Sequence, residues 1–294
     1  AVGTAYDVPA GDIHVPADAP TIQVAIDIAQ SGKTIVVAPG EYFEKLILID
    51  KNNITLTSSS GPDQTIINAG GTGTVVYLGG NQHILNGFTL TGGEGSGANG
   101  RDCWDCSLTN LIVTENTNGN PVAMGNYPTI KNVVIANNSG TDASAIYLLC
   151  GSGTNNLLQN VTIANNSVSY GINYQSNGAS NGIDTLTLIN SVIWGNLSES
   201  FYVDERYNNT RINIYNSLIE GGESSVNSND DGSGYTYDLN WDSSNLTSYP
   251  YFNDPDNGDY SLSSYSPMIG AGAISVTIDG VTYEAPDTDI LGID

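Results

Sequence analysis

Basic side chains are the scarcest chemical groups in this chain, so candidate chemistry begins with them. The 294 residues include seven Lys and Arg against 31 Asp and Glu. Two of the seven, Arg101 and Lys131, fall mid-chain among short β-branched runs. A Lys or Arg with its proton removed can serve as a general base, so these two are the candidate catalytic bases. Lys131 stands directly before a recurrent Asn, where it would either project into a groove or solvate the surface. Arg101 adjoins Asp102, with Asp105 close by, a spacing suited to a local ion pair. A glycoside hydrolase would instead need two carboxylates flanking the scissile bond. Asp230-Asp231 is an adjacent acidic pair, but its Asn, Ser and Gly neighbours read as a solvated loop.

Other residue types suggest binding rather than turnover. Asp254, Asp256 and Asp259 lie in a Pro- and Gly-containing turn and are the candidate calcium ligands. No Glu closes an EF-hand loop there, and the bland alternative is a simple turn. No motif for an organic cofactor is present, so calcium is the one cofactor the sequence suggests. Cys103, Cys106 and Cys150 cannot all pair within the chain. One disulfide plus a buried thiol, or three buried thiols, are the alternatives; zinc would lack a fourth ligand. The chain has 17 Tyr but four Phe. A tyrosine ring can stack on sugar C–H groups while its hydroxyl hydrogen-bonds, which favours carbohydrate contact. Trp104, Tyr127, Tyr147, Trp194 and Tyr202 are the candidate ligand-binding residues, with Tyr170 and Tyr174 in the same coil regions. Rim packing is the structural alternative for each of them.

The elements that would position these residues show as a repeat. Six segments align on a lead Asn at 86, 110, 132, 160, 190 and 216, spaced 24, 22, 28, 30 and 26 residues apart. Six residues after each lies Gly92, Asn116, Asn138, Asn166, Asn196 or Gly222. Gly and Asn tolerate the left-handed backbone of a sharp corner. Two corners at constant separation around an apolar alternation describe one side of a stacked coil. Stacked Asn amides about 4.8 Å apart can bond to one another, so the repeated asparagines read as a structural ladder. The fold expected is an all-β, right-handed parallel β-helix of roughly 8–10 coils. Ile22, Ala25, Ile26 and Ala29 give a helical stripe, read as a capping helix before the first coil. The expected organisation is 1–32 as N-terminal strand and capping helix, 33–222 as coils, and 223–294 as an irregular C-terminal cap. A hairpin is expected around Asp279-Gly280.

A net charge of −24 disfavours nucleic acid and anionic membranes. No apolar run is long enough to span a bilayer. The residue balance, and a start at Ala1 consistent with a removed signal peptide, suggest a secreted, extracellular or cell-surface protein.

Resemblance sharpens the fold. Pro20-Thr21-Ile22-Gln23 followed by Gly32 to Tyr42 resembles the opening of pectin-lyase-like β-helix proteins. Gly87-Phe88-Thr89-Leu90-Thr91-Gly92 resembles their coil repeat, and Gly258-Asp259-Tyr260-Ser261-Leu262 with Ser266 to Gly272 resembles the end segment of bacterial members. That superfamily includes lyases, hydrolases, epimerases and non-catalytic surface proteins, so it implies a fold and not an activity. Its hydrolases carry Gly-His-Gly and Arg-x-Lys, and neither occurs here. The leading expectation is therefore non-catalytic binding of an extracellular polysaccharide, cell-surface glycan or other surface ligand. The alternatives are a polysaccharide lyase or hydrolase, and a self-associating subunit of a filament or surface layer.

Overall fold

Short β-branched runs alternate inward and outward, and parallel pairing stacks them into three faces. The computed structural model describes residues 8–290 apart from 152, 177, 179–181, 198, 205–206 and 229–233. Asp230 and Asp231 lie outside the described residues. Face one begins with Ile13–Val15, Thr34–Val37, Thr55–Ser58 and Ile84–Asn86, and ends with Ile183–Ile189, Asn209–Tyr215 and Tyr237–Trp241. Face two includes Gly40–Tyr42, Thr65–Asn68, Thr89–Thr91, Val192–Trp194 and Leu218–Ile219. Ser107–Thr114, Thr129–Ala136 and Asn155–Ala164 run through both, bending at the lead Asn. Face three is an eight-stranded sheet from Leu46–Leu48 to Val226–Ser228. The result is a right-handed parallel β-helix of about 8 turns. Its interior is a continuous column of Ile, Leu and Val, including Ile35, Leu56, Leu85, Leu108, Ile130 and Leu158.

The corners correct the repeat in two respects. Asn86 pairs with Thr109 rather than Asn110, so the first segment is displaced by one residue. The left-handed position there is Gly87, at φ 83°, whereas Asn110, Asn132, Asn160, Asn190 and Asn216 take it themselves at φ 49° to 55°. At the second corner Gly92 and Gly222 are left-handed as expected, whereas in the coils between them Glu115, Asn137, Asn165 and Gly195 take that conformation one position earlier than expected, and Gly221 shares it with Gly222. The next residue supplies the stronger ladder. Asn116 Nδ2 donates to Asn138 Oδ1 at 3.0 Å, Asn138 to Asn166 at 2.9 Å, and Asn166 to Asn196 at 3.0 Å. Their second amide hydrogens go to strand carbonyls, which satisfies buried amides that would otherwise be orphaned.

The N-terminal end is closed by side chains. Helix α1, Ile22–Ile28, buries Ile22, Ala25 and Ile26 in the same core as Ile35 and Leu46. Thr21 caps it, and Glu44 accepts from the Ile22 and Gln23 amides. On the outer edge of face one, the His14 amide donates to Asp18 at 2.8 Å and its carbonyl accepts from the Asp18 amide. On the outer edge of face three, Gln23 bonds both the amide and the carbonyl of Ile47. These contacts occupy groups that a second copy would need for strand addition at this end, which bears on the filament alternative.

At the other end, parallel pairing continues beyond residue 222. Val226–Ser228 joins face three, Tyr237–Trp241 joins face one, and Leu246 bridges to Leu218. The residues after 249 form a strap along the flank of the coils. Tyr260 packs on Ala136 and Ala164, and Met268 on Val192 and Leu218. The strap carbonyls of Ala271, Ala273 and Thr288 accept from Asn216, Asn190 and Asn132. The expected hairpin forms between Ser275–Ile278 and Val281–Glu284, with Asp279 and Gly280 both left-handed.

A buried histidine sets a pH dependence. His83 is fully buried. Its Nδ1 accepts from the Ile54 amide at 3.1 Å, so Nε2 holds the proton facing the Gly79 carbonyl at 2.9 Å. Burial lowers its pKa below the ordinary histidine value, against the opposing effect of nearby backbone carbonyls. A lowered folded pKa means that the unfolded chain takes up this proton first. The stability is full above the unfolded value of about 6.5 and is lost as pH falls toward the lower folded value, by at most about 1.4 kcal/mol per pH unit. The wild-type urea midpoint should fall relative to that of His83→Gln as pH drops from about 7.5 to about 5.5. Parallel curves would remove this assignment.

Candidate functional site

Face three carries the side chains with most to offer a ligand. Its strands alternate, so Val76, Ile146, Ile172 and Phe201 point inward while the intervening residues point out. Parallel register then stacks one outward residue per coil: Ile47, Tyr77, Asn99, Ala123, Tyr147, Asn173 and Tyr202. Rings thus alternate with short side chains along a line with a step of about 4.8 Å.

Arg101 is placed on this face by a strand irregularity. Pairing of Ala98–Trp104 with the preceding strand shifts between Asn99 and Asp102, so Arg101 lies in the bulge. Its guanidinium lies 5.0 Å from the centre of the Tyr147 ring, spanning the intervening coil, where the row has only Ala123. A cation over an aromatic face is attracted to it and is held in a defined place. The local ion pair expected of Arg101 is replaced by other contacts. Asp102 accepts from the Tyr77 hydroxyl, and Asp105 accepts from Gln82. The Asp102 hydrogen bond, followed by burial, raises the Tyr77 pKa.

Two aromatic pairs flank this centre. Trp104, half exposed, lies 6.3 Å from Tyr127. Cys103 and Cys106 form a disulfide on either side of Trp104-Asp105, and Cys150 is a free, buried thiol. Tyr170 and Tyr202 are 5.0 Å apart, centre to centre. Tyr147 donates to Gln175 at 2.8 Å. The Asn173 Oδ1, between Tyr147 and Tyr202 in the row, has no hydrogen-bond partner.

The sequence candidates therefore separate. Arg101, Trp104, Tyr127, Tyr147 and Tyr202 gather on face three or at its edge. Lys131 stands on face one between Thr109 and Gln159, so the two candidate bases do not share a site. Trp194 is on face two, edge-on to Tyr249 at 5.5 Å. Tyr174 is wholly internal; its hydroxyl accepts from Asn156 at 2.8 Å, and burial raises its pKa. Asp254 accepts from Asn257 within its own turn, and Asp259 from the Ser261 amide. Among the described residues, no three Asp, Glu, His or Cys side chains converge as a metal-binding group. Sequence reasoning missed Tyr77 and Asn173, which register with a neighbouring coil alone identifies.

No family model matches the chain, and no curated protein sequence matches it. Solved structures do. Pectin methylesterase from carrot aligns over 81% of this chain and 84% of its own, at 13% identity and TM-score 0.49. A pectate lyase aligns over 97% and 96%, at 11% identity and TM-score 0.48. An alginate lyase from Paenibacillus aligns over 74% and 95%, at 12% identity and TM-score 0.42. The right-handed parallel β-helix is shown by the chain's own strand pairing. Likenesses this distant carry no argument about function, which rests on the side chains of this β-helix. Among the described residues no helix is long and apolar enough to cross a membrane.

Proposed function

We propose that this protein is secreted and binds an extracellular polysaccharide along face three, with Tyr147, Arg101, Asn173 and Tyr202 at the centre of the track. The observation that carries this reading is the in-register row of tyrosines and short polar side chains, one per coil. An elongated glycan laid along the solenoid axis would meet a ring, then a gap with amide groups, then another ring. Rings supply stacking area, while Asn173 and Gln175 supply hydrogen bonds. The strong negative charge favours a neutral polymer, or a uronate polymer bridged by calcium. Affinity electrophoresis against neutral and uronate polysaccharides, with and without calcium, tests the reading. Tyr147→Ala is expected to weaken retention about tenfold, equivalent to about 1.4 kcal/mol. If no polymer retards the wild-type protein, the reading fails.

A second reading, turnover of a uronate polymer on the same face, draws on Arg101. It stands on a bulge beside Asp102, where it could serve as the base or neutralise a uronate. It also matches the activities that the pectate and alginate lyases above are named for. New absorbance near about 235 nm, where a conjugated carboxylate absorbs, would reveal it, and Arg101→Gln should abolish that signal.

A further inference from the structure

The last coil leaves the column open at its C-terminal end. It consists of Val226–Ser228 on face three, Tyr237–Trp241 on face one and Leu246 on face two. Its inward residues Leu239 and Trp241 pack on the core but are only half-buried, whereas Ile212 and Ile214, their partners one coil earlier, are fully buried. Among the described residues, no strand pairs with the outer side of Tyr237–Trp241.

Hydrogen-bond parity identifies the backbone groups that face this side. Thr236 accepts from the Thr210 amide and Asp242 donates to the Ile214 carbonyl, so the even-numbered residues turn their N–H and C=O toward the preceding coil. Leu239 and Trp241 therefore aim theirs outward. Such a row is a template for another strand. The opposite end of the stack offers no matching template. Asp18 occupies the His14 amide and carbonyl there, and Gln23 those of Ile47. Head-to-tail growth is thus disfavoured, and a second C-terminal edge is the fitting partner.

The strand's own sequence suits that meeting. Antiparallel pairing about a two-fold axis through Leu239 uses all five residues. Leu239 faces Leu239 of the other copy, Tyr237 faces Trp241, and Asp238 faces Asn240. Aromatic side chains then meet across the two open cores, and each carboxylate meets an amide rather than a like charge. Arg211, 2.8 Å from Asp238, further offsets the acid. Moving the axis to Asp238 or to Asn240 would oppose Asp238 to itself or to Asp242.

We infer that two copies of this chain join tail to tail through this edge as a closed two-fold dimer. Each copy covers the other's Leu239 and Trp241 and leaves both N-terminal ends facing outward. The interface is the end of the stack, so it is separate from glycan binding on face three.

Sedimentation velocity over about 1–100 μM, where interfaces of small area associate, tests the inference. Conversion of monomer to dimer, with no larger species, is expected. Leu239→Pro removes one outward N–H, leaves the bonds to the preceding coil intact, and should raise the dissociation constant about tenfold. Asn240→Asp opposes two pairs of acids across the axis and should weaken the dimer about tenfold at low salt. Adding Asp238→Asn to that variant again sets one carboxylate opposite one amide, and should restore association. Far-UV circular dichroism checks that the coils persist in each variant. A monomer at every concentration, growth beyond the dimer, undiminished association of Leu239→Pro or Asn240→Asp, or no recovery in the double variant overturns the inference.

Discussion

Asn138→Ala is expected to lower folding stability by about 4 kcal/mol, far more than an average surface substitution. Asn138 is 1% exposed and joins three coils. Its Oδ1 accepts both the backbone and side-chain N–H of Asn116, at 3.0 Å each. Its Nδ2 donates to the carbonyls of Val113 and Ala136 and to Asn166 Oδ1. Alanine leaves these groups in a corner that excludes water, where each orphan costs about 1–3 kcal/mol and the penalties overlap. Denaturant midpoints at constant slope give the measurement. Asn155→Ala, at an exposed position in a coil strand, should change stability by less than about 0.5 kcal/mol and serves as the control. A loss below about 1 kcal/mol for Asn138→Ala would show that the ladder is not what holds this corner.

The ladder also shows how far the sequence could be read. Constant spacing of Asn116, Asn138 and Asn166 from their lead asparagines follows from a face of fixed length between two corners, so the coils were legible. The register at residues 86 and 87 was not. Both Asn86 and Gly87 suit a left-handed corner, and the chain uses the glycine; a Cβ there would stand 3.2 Å from Ser58 Cβ. The strap was legible as a hairpin and turns but not in its placement, because its partners lie far away in sequence, as Tyr260 with Asn137 illustrates. Among the aromatics, composition alone could not separate Tyr147 from Tyr174. Strand parity decides this, since a one-residue step moves a side chain from the surface to the core. Tyr174 faces the interior at 0% exposure, while its neighbour Asn173 is in register with Tyr147. The Asp102–Tyr77 hydrogen bond was hidden for the same reason, because it needs two coils in register and not one motif.

Gly125→Ala is expected to weaken polysaccharide retention about as much as loss of the Tyr147 ring, though Gly125 itself presents no side chain to a ligand. Its backbone does not require glycine, since it is absent from the left-handed residues. Space is the constraint: a Cβ at Gly125 would stand 2.4 Å from the Arg101 carbonyl oxygen and 3.3 Å from that of Cys103. The Gly125 amide also donates to the Gly100 carbonyl at 3.0 Å, fixing the bulge from beneath. A methyl group must therefore push the Asn99–Asp102 segment outward and carry the guanidinium off the Tyr147 ring. Overpacking of this kind costs about 1–3 kcal/mol of stability, a loss that a folded coil stack can absorb. The binding loss should be about tenfold and should not add to that of Tyr147→Ala, because both changes break the same Arg101–Tyr147 contact. Full additivity in the double variant, or wild-type retention by Gly125→Ala, would mean that Arg101 works without the ring beneath it. Non-additivity would place Gly125, Arg101 and Tyr147 in one unit: a glycine on one coil lets an arginine rise from the coil before it and settle on a ring of the coil after.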